Sequence, residues 1–166
     1  VSVLVKDRQG EVRLNAEGRT IVVGERDEIV QVVQNLLDNG VKYSPSGGAV
    51  DVIVRRDLTF DQAIASQMAG ATRLSLLTPD RTVGTRYAAV TVRDHGPGMA
   101  REHLPRLTER FYRVEGQKSG ERLGTGLGLA IVKHIVNRHQ GGLTVESALG
   151  AGAAFTAWFP MPRQEP

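Results

Sequence analysis

The spacing of apolar residues changes along this chain, and the order of those changes limits the folds that it can adopt. Two segments have apolar residues at helical spacing, one over residues 29–41 and one over 131–136. Segments with the composition of strands precede the first, lie between the two, and follow the second. Because helices and strands do not alternate one by one, this order favours an α+β two-layer sandwich over a doubly wound parallel sheet.

Turn and cap signals give these elements approximate ends. The first long helix is expected over 28–42, with Asp27 as its N-cap and Pro45 closing it. The second follows the glycine-rich run that begins at Gly124, and we expect Gly141 to end it in a left-handed conformation. Strands are expected over 1–5, 20–23, 49–55, 87–93, 143–147 and 155–159, and short helices near 60–68 and 104–111.

Composition excludes several classes of protein. A chain of 166 residues is expected to form one domain, and the absence of cysteine excludes a disulfide framework or a cysteine-ligated zinc site. The net charge of +3 arises without a long run of like charges, so no nucleic-acid-binding arm is expected. No apolar run is long enough for a membrane span. Glycine is in excess, with 19 residues, so the positions of the glycines need a cause.

Four polar residues form one stripe of the first predicted helix. Gln31, Asn35, Asn39 and Lys42 are spaced so that they stay within an arc of roughly 80°. Amide oxygens can coordinate Mg²⁺, and a lysine ammonium can bind a phosphate. The stripe therefore indicates either a site for a cation and an anion or an ordinary solvated face.

A second motif, Asp94-His95-Gly96-Pro97-Gly98, follows the predicted strand 87–93. The glycines would let another molecule approach the backbone closely, and Asp94 could accept a hydrogen bond from an exocyclic amine. The alternative is a plain turn in which the glycines supply only positive φ. We expect His95 to be a turn residue.

The third motif is the run Gly124–Gly128, directly before the second helix. Backbone N–H groups and the helix dipole make such a segment an anion site. It is neither a P-loop nor the dinucleotide fingerprint, because the lysine and the preceding strand are absent. A flexible hinge remains the alternative.

Together these segments resemble the sequence boxes of bacterial sensor histidine kinases. Residues 34–45 (QNLLDNGVKYSP) resemble the asparagine box, and Asp94-x-Gly96-x-Gly98 resembles the first glycine box. Residues 108–114 (TERFYRV) resemble the phenylalanine box, and 124–132 (GTGLGLAIV) the second glycine box. The chain thus resembles the catalytic, ATP-binding domain of such a kinase, with some similarity to the phosphate-regulon sensors.

This resemblance implies the Bergerat ATP-binding fold, which gyrase, the mismatch-repair ATPase and the 90-kDa heat-shock chaperone share. It implies a mixed sheet of about five strands on three helices, in one catalytic domain over 1–166 that is a fragment of a longer kinase. Residues 100–123 match the ATP lid, and residues 57–86 are an insertion outside the common pattern. Leu107 and Thr108 depart from the usual aliphatic–Phe pair, which leaves the hydrophobic anchoring of the lid open.

The resemblance also implies ligand contacts, with ATP and Mg²⁺ as cofactors. Asp94 matches the acceptor of the adenine amino group, with Gly96 and Gly98 beside it and Tyr43 in the nucleotide pocket. Lys42 matches a phosphate contact, and Asn39 the Mg²⁺ ligand. The phosphate-side loop would comprise Gly124, Thr125, Gly126, Leu127 and Gly128.

Two residues are implied in catalysis. Asn35 lies one turn before Asn39, where gyrase-like ATPases carry a catalytic glutamate. An amide cannot act as a general base, which favours phosphoryl transfer to an acceptor over the activation of water. Arg113 matches a basic lid residue that stabilises the transferring phosphoryl group.

The implied acceptor is a histidine on a separate dimerisation domain, and none of the four histidines of the chain has the sequence context of that acceptor. We therefore expect a protein-histidine kinase domain that passes the γ-phosphoryl of ATP to that domain, for onward transfer to a response regulator. No nucleic acid is expected as a partner. The fragment is expected to be monomeric and the full-length kinase homodimeric. The expected location is the cytoplasm, with anchoring of the parent protein in the inner membrane left open.

Two other functions compete with this one. An anti-sigma-type serine kinase or a Bergerat ATPase would share the nucleotide site, although the phenylalanine box and the second glycine box argue against both. A nucleotide-sensing module without catalysis is the other alternative. The presence of Asn39, Lys42 and Arg113 argues against it.

Overall fold

A computed structural model describes residues 2–5, 10–44, 48–110, 112 and 127–163, with side chains from residue 12 onward. Within these ranges a single sheet of seven strands has the order β1-β2-β3-β5-β7-β6-β4. Only β2 and β3 pair in parallel; the other neighbours are antiparallel. The strands are β1 (Ser2–Val5), β2 (Gly10–Ala16), β3 (Ala49–Leu58), β4 (Thr72–Leu77), β5 (Tyr87–Arg93), β6 (Gly142–Ala148) and β7 (Gly152–Pro160). The helices are α1 (Arg26–Tyr43), α2 (Phe60–Ile64), α3 (Gly128–Arg138) and a 3₁₀ helix, Arg101–Arg106.

The sheet has seven strands where about five were predicted, and its two edges account for the difference. β2 occupies 10–16 instead of the predicted 20–23, and it pairs with β3 through residues 11–16. Gly10 and Asn15 are typical of turns, but the ladder to β3 overrides that local preference. β4 lies inside the 57–86 insertion and pairs with β6 at the other edge. β4 is an edge strand and β2 lies next to the other edge strand, β1, and both have a weak hydrophobic pattern.

The α1 helix begins one turn earlier than its hydrophobic pattern suggests. Glu25, not Asp27, is the N-cap, and its side chain accepts a hydrogen bond of 3.0 Å from the backbone N–H of Glu28. The helix ends at Tyr43 because Ser44 adopts an extended conformation, as expected for a residue before proline. The helix therefore carries the whole predicted polar stripe.

The α3 helix ends differently from the prediction. Gln140, not Gly141, has the positive φ of 57°, and the N–H of Gly141 closes the last turn on the carbonyl of Val136 at 2.9 Å. Gly141 is required for a different reason, since a Cβ there would collide with the carbonyl oxygen of Trp158. The glycine pair thus permits close packing of the helix end on β7.

Helices α1 and α3 run in opposite directions, and hydrogen bonds at both ends of α3 join it to the first residues and the middle of α1. At one end His139 Nε2 accepts the N–H of Glu25 at 3.0 Å, and Arg138 pairs with Glu28 at 2.7 Å. His139 Nδ1 lies 2.7 Å from the carbonyl of Ile135, to which it donates, so the ring joins the two helices as a neutral tautomer. Near the other end Asn35 Nδ2 lies 3.4 Å from the carbonyl of Gly128.

The main core lies between one face of the sheet and α1, α3 and the 3₁₀ helix. Successive residues of a strand point to opposite faces, so every second residue of the central strands enters this core. Its buried side chains include Val50, Val52, Val90, Val92, Phe155, Ala157 and Phe159 from the sheet, and Val32, Leu36, Leu104, Leu107, Val132, Ile135 and Val136 from the helices.

The other face of the sheet is partly covered by the 57–86 insertion. Phe60 of α2 packs edge-on against Tyr87 and Trp158, with ring centroids 6.4 and 5.3 Å apart. Further along, the insertion is held by Glu146, a fully buried carboxylate of β6. It accepts hydrogen bonds from the hydroxyl of Ser66 and from the backbone N–H groups of Gln67 and Met68. The insertion is therefore an integral part of the domain.

Replacing Glu146 by alanine should release the segment 65–70 from the sheet. We expect a loss of about 3 kcal/mol in the free energy of unfolding, because one buried and two part-buried donors lose their shared acceptor. Urea denaturation measures the loss, and limited proteolysis should show new cleavage within the segment. The control is Glu102→Ala, which removes an exposed carboxylate. Equal stability of the two variants would contradict the anchoring role.

Candidate functional site

The turn after β5 places Asp94 in the interior, on the same face of the sheet as α1 and α3. Its side chain is almost fully buried, and its backbone N–H bonds the carbonyl of Ala153 at 2.9 Å. The N–H of Gly96 donates to Asp94 Oδ1 at 2.9 Å, so the carboxylate also shapes the turn. The carboxylate therefore lies in the interior, in a position that the turn defines.

Three glycines let the turn pass between the β6–β7 hairpin and the end of α1. A Cβ on Gly96 would collide with the carbonyl oxygen of Tyr43, and one on Gly98 with that of Ala148. Gly98 also has a positive φ of 70°, which strains other residues. Gly152 faces the turn from the hairpin, where a Cβ would collide with the carbonyl of Asp94. The glycines therefore set the depth at which the carboxylate lies.

A small pocket opens at this turn and brings three of the predicted site residues together, namely Tyr43, Asp94 and Gly98. It is lined by Tyr43, Asp94, Gly98, Met99, Ala153 and Phe155. The walls are mostly apolar, with a single carboxylate among them. Such a lining suits a flat, apolar ring that carries one hydrogen-bond donor.

Burial raises the pKa of Asp94 above its ordinary value, and this is the largest influence on it. The backbone hydrogen bonds from Gly96 and Ala153, and the charges of His95 and Arg93, act in the opposite direction without cancelling it. The ionised carboxylate is therefore held at some cost in the folded protein. A ligand that donates a hydrogen bond to it would recover part of that cost.

The polar stripe of α1 faces the beginning of α3. Asn35, Asn39 and Lys42 are half-buried, while Gln31 is exposed. Asn35 reaches the carbonyl of Gly128, which joins the asparagine motif to the second glycine motif. This contact shows that two of the predicted motifs meet in space.

The start of α3 has the properties of an anion site. Leu127 is its N-cap and supplies no side-chain hydrogen bond, so the first N–H groups of the helix keep their capacity to donate. Leu127 and Gly128 are the predicted loop residues that the structure describes. Arg113, Gly124, Thr125 and Gly126 lie outside the described residues, so their roles remain predictions.

The first part of the predicted lid is anchored in the core. Leu104 and Leu107 are buried there, and Arg106 lies over the ring of Tyr112 at 4.4 Å. His103 Nδ1 contacts the hydroxyl of the same tyrosine. Leu107 thus supplies hydrophobic anchoring even though its neighbour Thr108 departs from the usual phenylalanine.

Sequence reasoning missed several residues that contribute to this site. Met99 follows Gly98 directly, but nothing in the sequence places Ala153 and Phe155 in the pocket, because only the β5–β7 register brings them there. His95, predicted as a turn residue, lies 2.8 Å from Asp51. This contact ties the outside of the turn to the neighbouring strand β3.

Comparison with known proteins places these features in a family. The model of a family described as histidine kinase-, DNA gyrase B-, and HSP90-like ATPase matches residues 24–163. The sequence is 34% identical over 146 residues to the sensor histidine kinase RppB of Synechocystis. It is also 34% identical over 152 residues to the phosphate regulon sensor protein PhoR of Pseudomonas aeruginosa. These alignments cover 88% and 92% of this chain but only 26% and 28% of those relatives.

Solved structures agree with this result. The mycobacterial sensor histidine kinase MprB aligns with a TM-score of 0.62 and 27% identity, over 92% of this chain and 86% of that one. Full-length ShkA in complex with AMPPNP aligns with the same TM-score and 23% identity, over 93% of this chain and 26% of that one. The second likeness concerns the fold alone.

Substitution of Asp94 by asparagine should stabilise the domain when no ligand is present. Because the pKa of Asp94 is raised on folding, the ionised form disfavours the folded state at neutral pH, and this penalty disappears as the pH falls through the raised pKa. Asparagine keeps an oxygen for the N–H of Gly96 and carries no charge. Urea denaturation at pH 7 should show that the free energy of unfolding of the variant exceeds that of the parent by more than ~0.5 kcal/mol, the usual limit for a neutral surface substitution. This difference should shrink as the pH is lowered towards about 4.

The matched control for this measurement is Asp38→Asn, which removes an exposed carboxylate of α1. We expect the stability of the control variant to stay close to that of the parent at both pH values. A destabilised Asp94→Asn protein at neutral pH would contradict the electrostatic account of the site.

Proposed function

The chain belongs to the family of histidine kinase-, DNA gyrase B- and HSP90-like ATPases, and we propose that it is the ATP-binding catalytic domain of a two-component sensor histidine kinase. The observation that carries this proposal is the buried carboxylate of Asp94 in an otherwise apolar pocket, next to a helix with the asparagine–lysine stripe. The chain spans only about a quarter of the length of the curated relatives described above. Activity, substrates and partners are therefore proposed for the protein of which it forms a domain.

Adenine recognition is assigned to Asp94 and the pocket around it. The exocyclic amino group would donate to the buried carboxylate, while Met99 and Phe155 supply apolar walls for the ring. A hydrogen bond to a buried charged group contributes more than one in water, so this contact selects adenine over a ring that presents a carbonyl there.

The phosphates would bind along the polar stripe of α1 and at the first turn of α3. Lys42 offers an ammonium group and α3 offers unpaired N–H donors at its positive end. Asn39 supplies an amide oxygen for Mg²⁺, and no group of three or more His, Cys, Asp or Glu side chains suited to a metal occurs among the described residues. A single ligand from the protein suits Mg²⁺, because this ion usually keeps several water molecules and takes its other ligands from phosphate oxygens. The bound ion would neutralise part of the negative charge of the phosphates.

Phosphoryl transfer is favoured over hydrolysis by the chemistry of Asn35. Its amide donates to the carbonyl of Gly128 and cannot accept a proton from water. In the proposed reaction a nitrogen of the acceptor histidine attacks the γ-phosphorus, the bond to the ADP oxygen breaks, and the acceptor domain takes up the histidine proton. The present domain contributes position and charge stabilisation, with Arg113 proposed to act on the transferring group.

The acceptor histidine is proposed to lie on another domain of the parent protein, from which a response regulator would take the phosphoryl group. Three of the histidines here have other contacts: His139 joins two helices, His103 contacts Tyr112, and His95 contacts Asp51. We propose that the domain acts in the cytoplasm. Of the helices in the described part of the chain, none has the length and apolar character that crossing a membrane requires.

Nucleotide binding tests the assignment of the site. We expect Asp94→Ala to weaken ATP binding roughly 10- to 100-fold, because a charge-assisted hydrogen bond is lost. Asn39→Ala should weaken binding about tenfold in the presence of Mg²⁺ and have little effect with EDTA. Isothermal titration calorimetry measures both, with the exposed Asn137→Ala as a control. If both site variants bind Mg-ATP as the parent does, the assignment is wrong.

Phosphoryl transfer tests the reaction itself. Incubation of the domain with γ-labelled ATP and a supplied histidine acceptor domain from the same parent protein should label the acceptor and leave this chain unlabelled. Arg113→Ala should lower the rate of labelling by roughly a hundredfold or more, because it removes charge stabilisation. A stable phosphohistidine on this chain would contradict the proposal. Tight ATP binding without any transfer would instead support the nucleotide-sensing alternative.

A further inference from the structure

Arginines are concentrated on the face of the sheet that lies away from α1 and α3. Three strands each contribute one arginine to this side: Arg55 of β3, Arg93 of β5 and Arg73 of β4. The residue next to each arginine in its strand packs in the main core, so the arginine points to the opposite face. We call the surface formed by these three arginines the arginine face. It lies beside the insertion and not at the nucleotide pocket.

Each of the three guanidinium groups has at least one nitrogen without a hydrogen-bond partner in the described part of the chain. Within the described residues, none of them donates a side-chain hydrogen bond or lies within salt-bridge distance of a carboxylate. Buried nitrogen atoms without a partner occur in all three: Nε and Nη2 of Arg55, Nη2 of Arg73, and Nε of Arg93. Each residue as a whole is only partly buried, so a ligand can reach its outer nitrogens.

The two carboxylates opposite Arg93 and Arg73 on the neighbouring strands already accept other hydrogen bonds. Asp51 is the cross-strand neighbour of Arg93, but its two oxygens accept from Arg13 at 2.6 and 3.0 Å and from His95 at 2.8 Å. Glu146 is the neighbour of Arg73, and its oxygens accept from the insertion, at Ser66 and the following backbone. The arginine face therefore has excess positive charge and excess donors at once.

Burial of these groups has an energetic cost in the isolated domain. Burial lowers the pKa of Arg55, although the charges of Glu17 and Glu146 act against the shift from a longer distance. Because a guanidinium stays protonated in proteins, it cannot avoid burial of its charge by losing a proton. The loss of its hydration therefore lowers the stability of the folded domain. An anionic partner that binds the outer nitrogens would bring negative charge close to these groups and offset part of that cost.

We propose that the arginine face binds an acidic segment of a partner protein. The charge complementarity favours carboxylates, which guanidinium groups bind through two parallel hydrogen bonds. The spacing favours several carboxylates over one small anion. Arg93 and Arg73 lie on strands separated by β7 and β6, hence roughly 14 Å apart at the backbone, and Arg55 lies roughly 13 Å along the sheet from Arg93.

This surface is separate from the nucleotide site, and its role does not depend on the kinase proposal. Arg93 and Asp94 are consecutive, and they point to opposite faces of the sheet. A partner bound to the arginine face would therefore leave the pocket open. Nucleotide and acidic segment are expected to bind the domain at the same time.

The test uses a fluorescein-labelled peptide of alternating glutamate and serine, about ten residues long and so roughly 33 Å when extended. Fluorescence anisotropy should show binding to the parent domain that weakens with added salt and persists with saturating Mg-ATP. The triple variant Arg55→Gln, Arg73→Gln, Arg93→Gln should bind at least roughly tenfold more weakly. The control triple variant Arg26→Gln, Arg86→Gln, Arg163→Gln removes the same charge from exposed positions and should bind like the parent.

Other outcomes would overturn the proposal. Equal losses in the two triple variants would indicate non-specific attraction. Competition by inorganic phosphate as effective as that by unlabelled peptide would indicate a small-anion site, and retained binding of a glutamine–serine peptide would exclude recognition of carboxylates.

Thermal unfolding adds an independent readout, because removing an unpartnered buried charge with Arg55→Gln should maintain or raise Tm. A lower Tm with unchanged peptide binding would mean that the arginine is structural. If the triple variant does not fold, the three single variants are measured in the same way.

Discussion

The site depends on a close approach of backbone segments at the turn after β5. This turn passes between the end of α1 and the β6–β7 hairpin, where carbonyl oxygens leave no space for a Cβ at Gly96, Gly98 or Gly152. The approach fixes the depth of Asp94 and brings the lining of β7 next to it. It also explains part of the glycine excess of the chain, since these glycines are required by distance between backbones as well as by φ.

The buried charges of the sheet differ in how fully their hydrogen-bonding needs are met. Glu146 has all the donors that it needs from the insertion, and it stabilises the fold. Asp94 and the arginine face have fewer partners than their charges require. Natural proteins accept such local costs where a ligand supplies the missing contacts, which is the role proposed above for Asp94 and for the arginine face.

Much of the central fold could be predicted from the sequence, because its signals are local. The spacing of apolar residues identified α1 and α3, and the glycines around Asp94 identified the turn and its carboxylate. Strands β2 and β4, in the outer parts of the sheet, escaped prediction because pairing with β3 and β6 stabilises them, and pairing partners are not visible in a local pattern. The same reason hid Phe155, whose place in the pocket follows from strand register.

The paired helices α1 and α3 have a consequence for ligand binding. They are bonded through His139 and Arg138 at one end and through Asn35 near the other, so one helix cannot slide along its neighbour without breaking these contacts. The amide stripe and the helix N-terminus thus keep a constant separation before a ligand arrives. In the proposed nucleotide complex these groups would be aligned before the phosphates arrive, so the entropy of aligning them would be lost during folding and not again on binding.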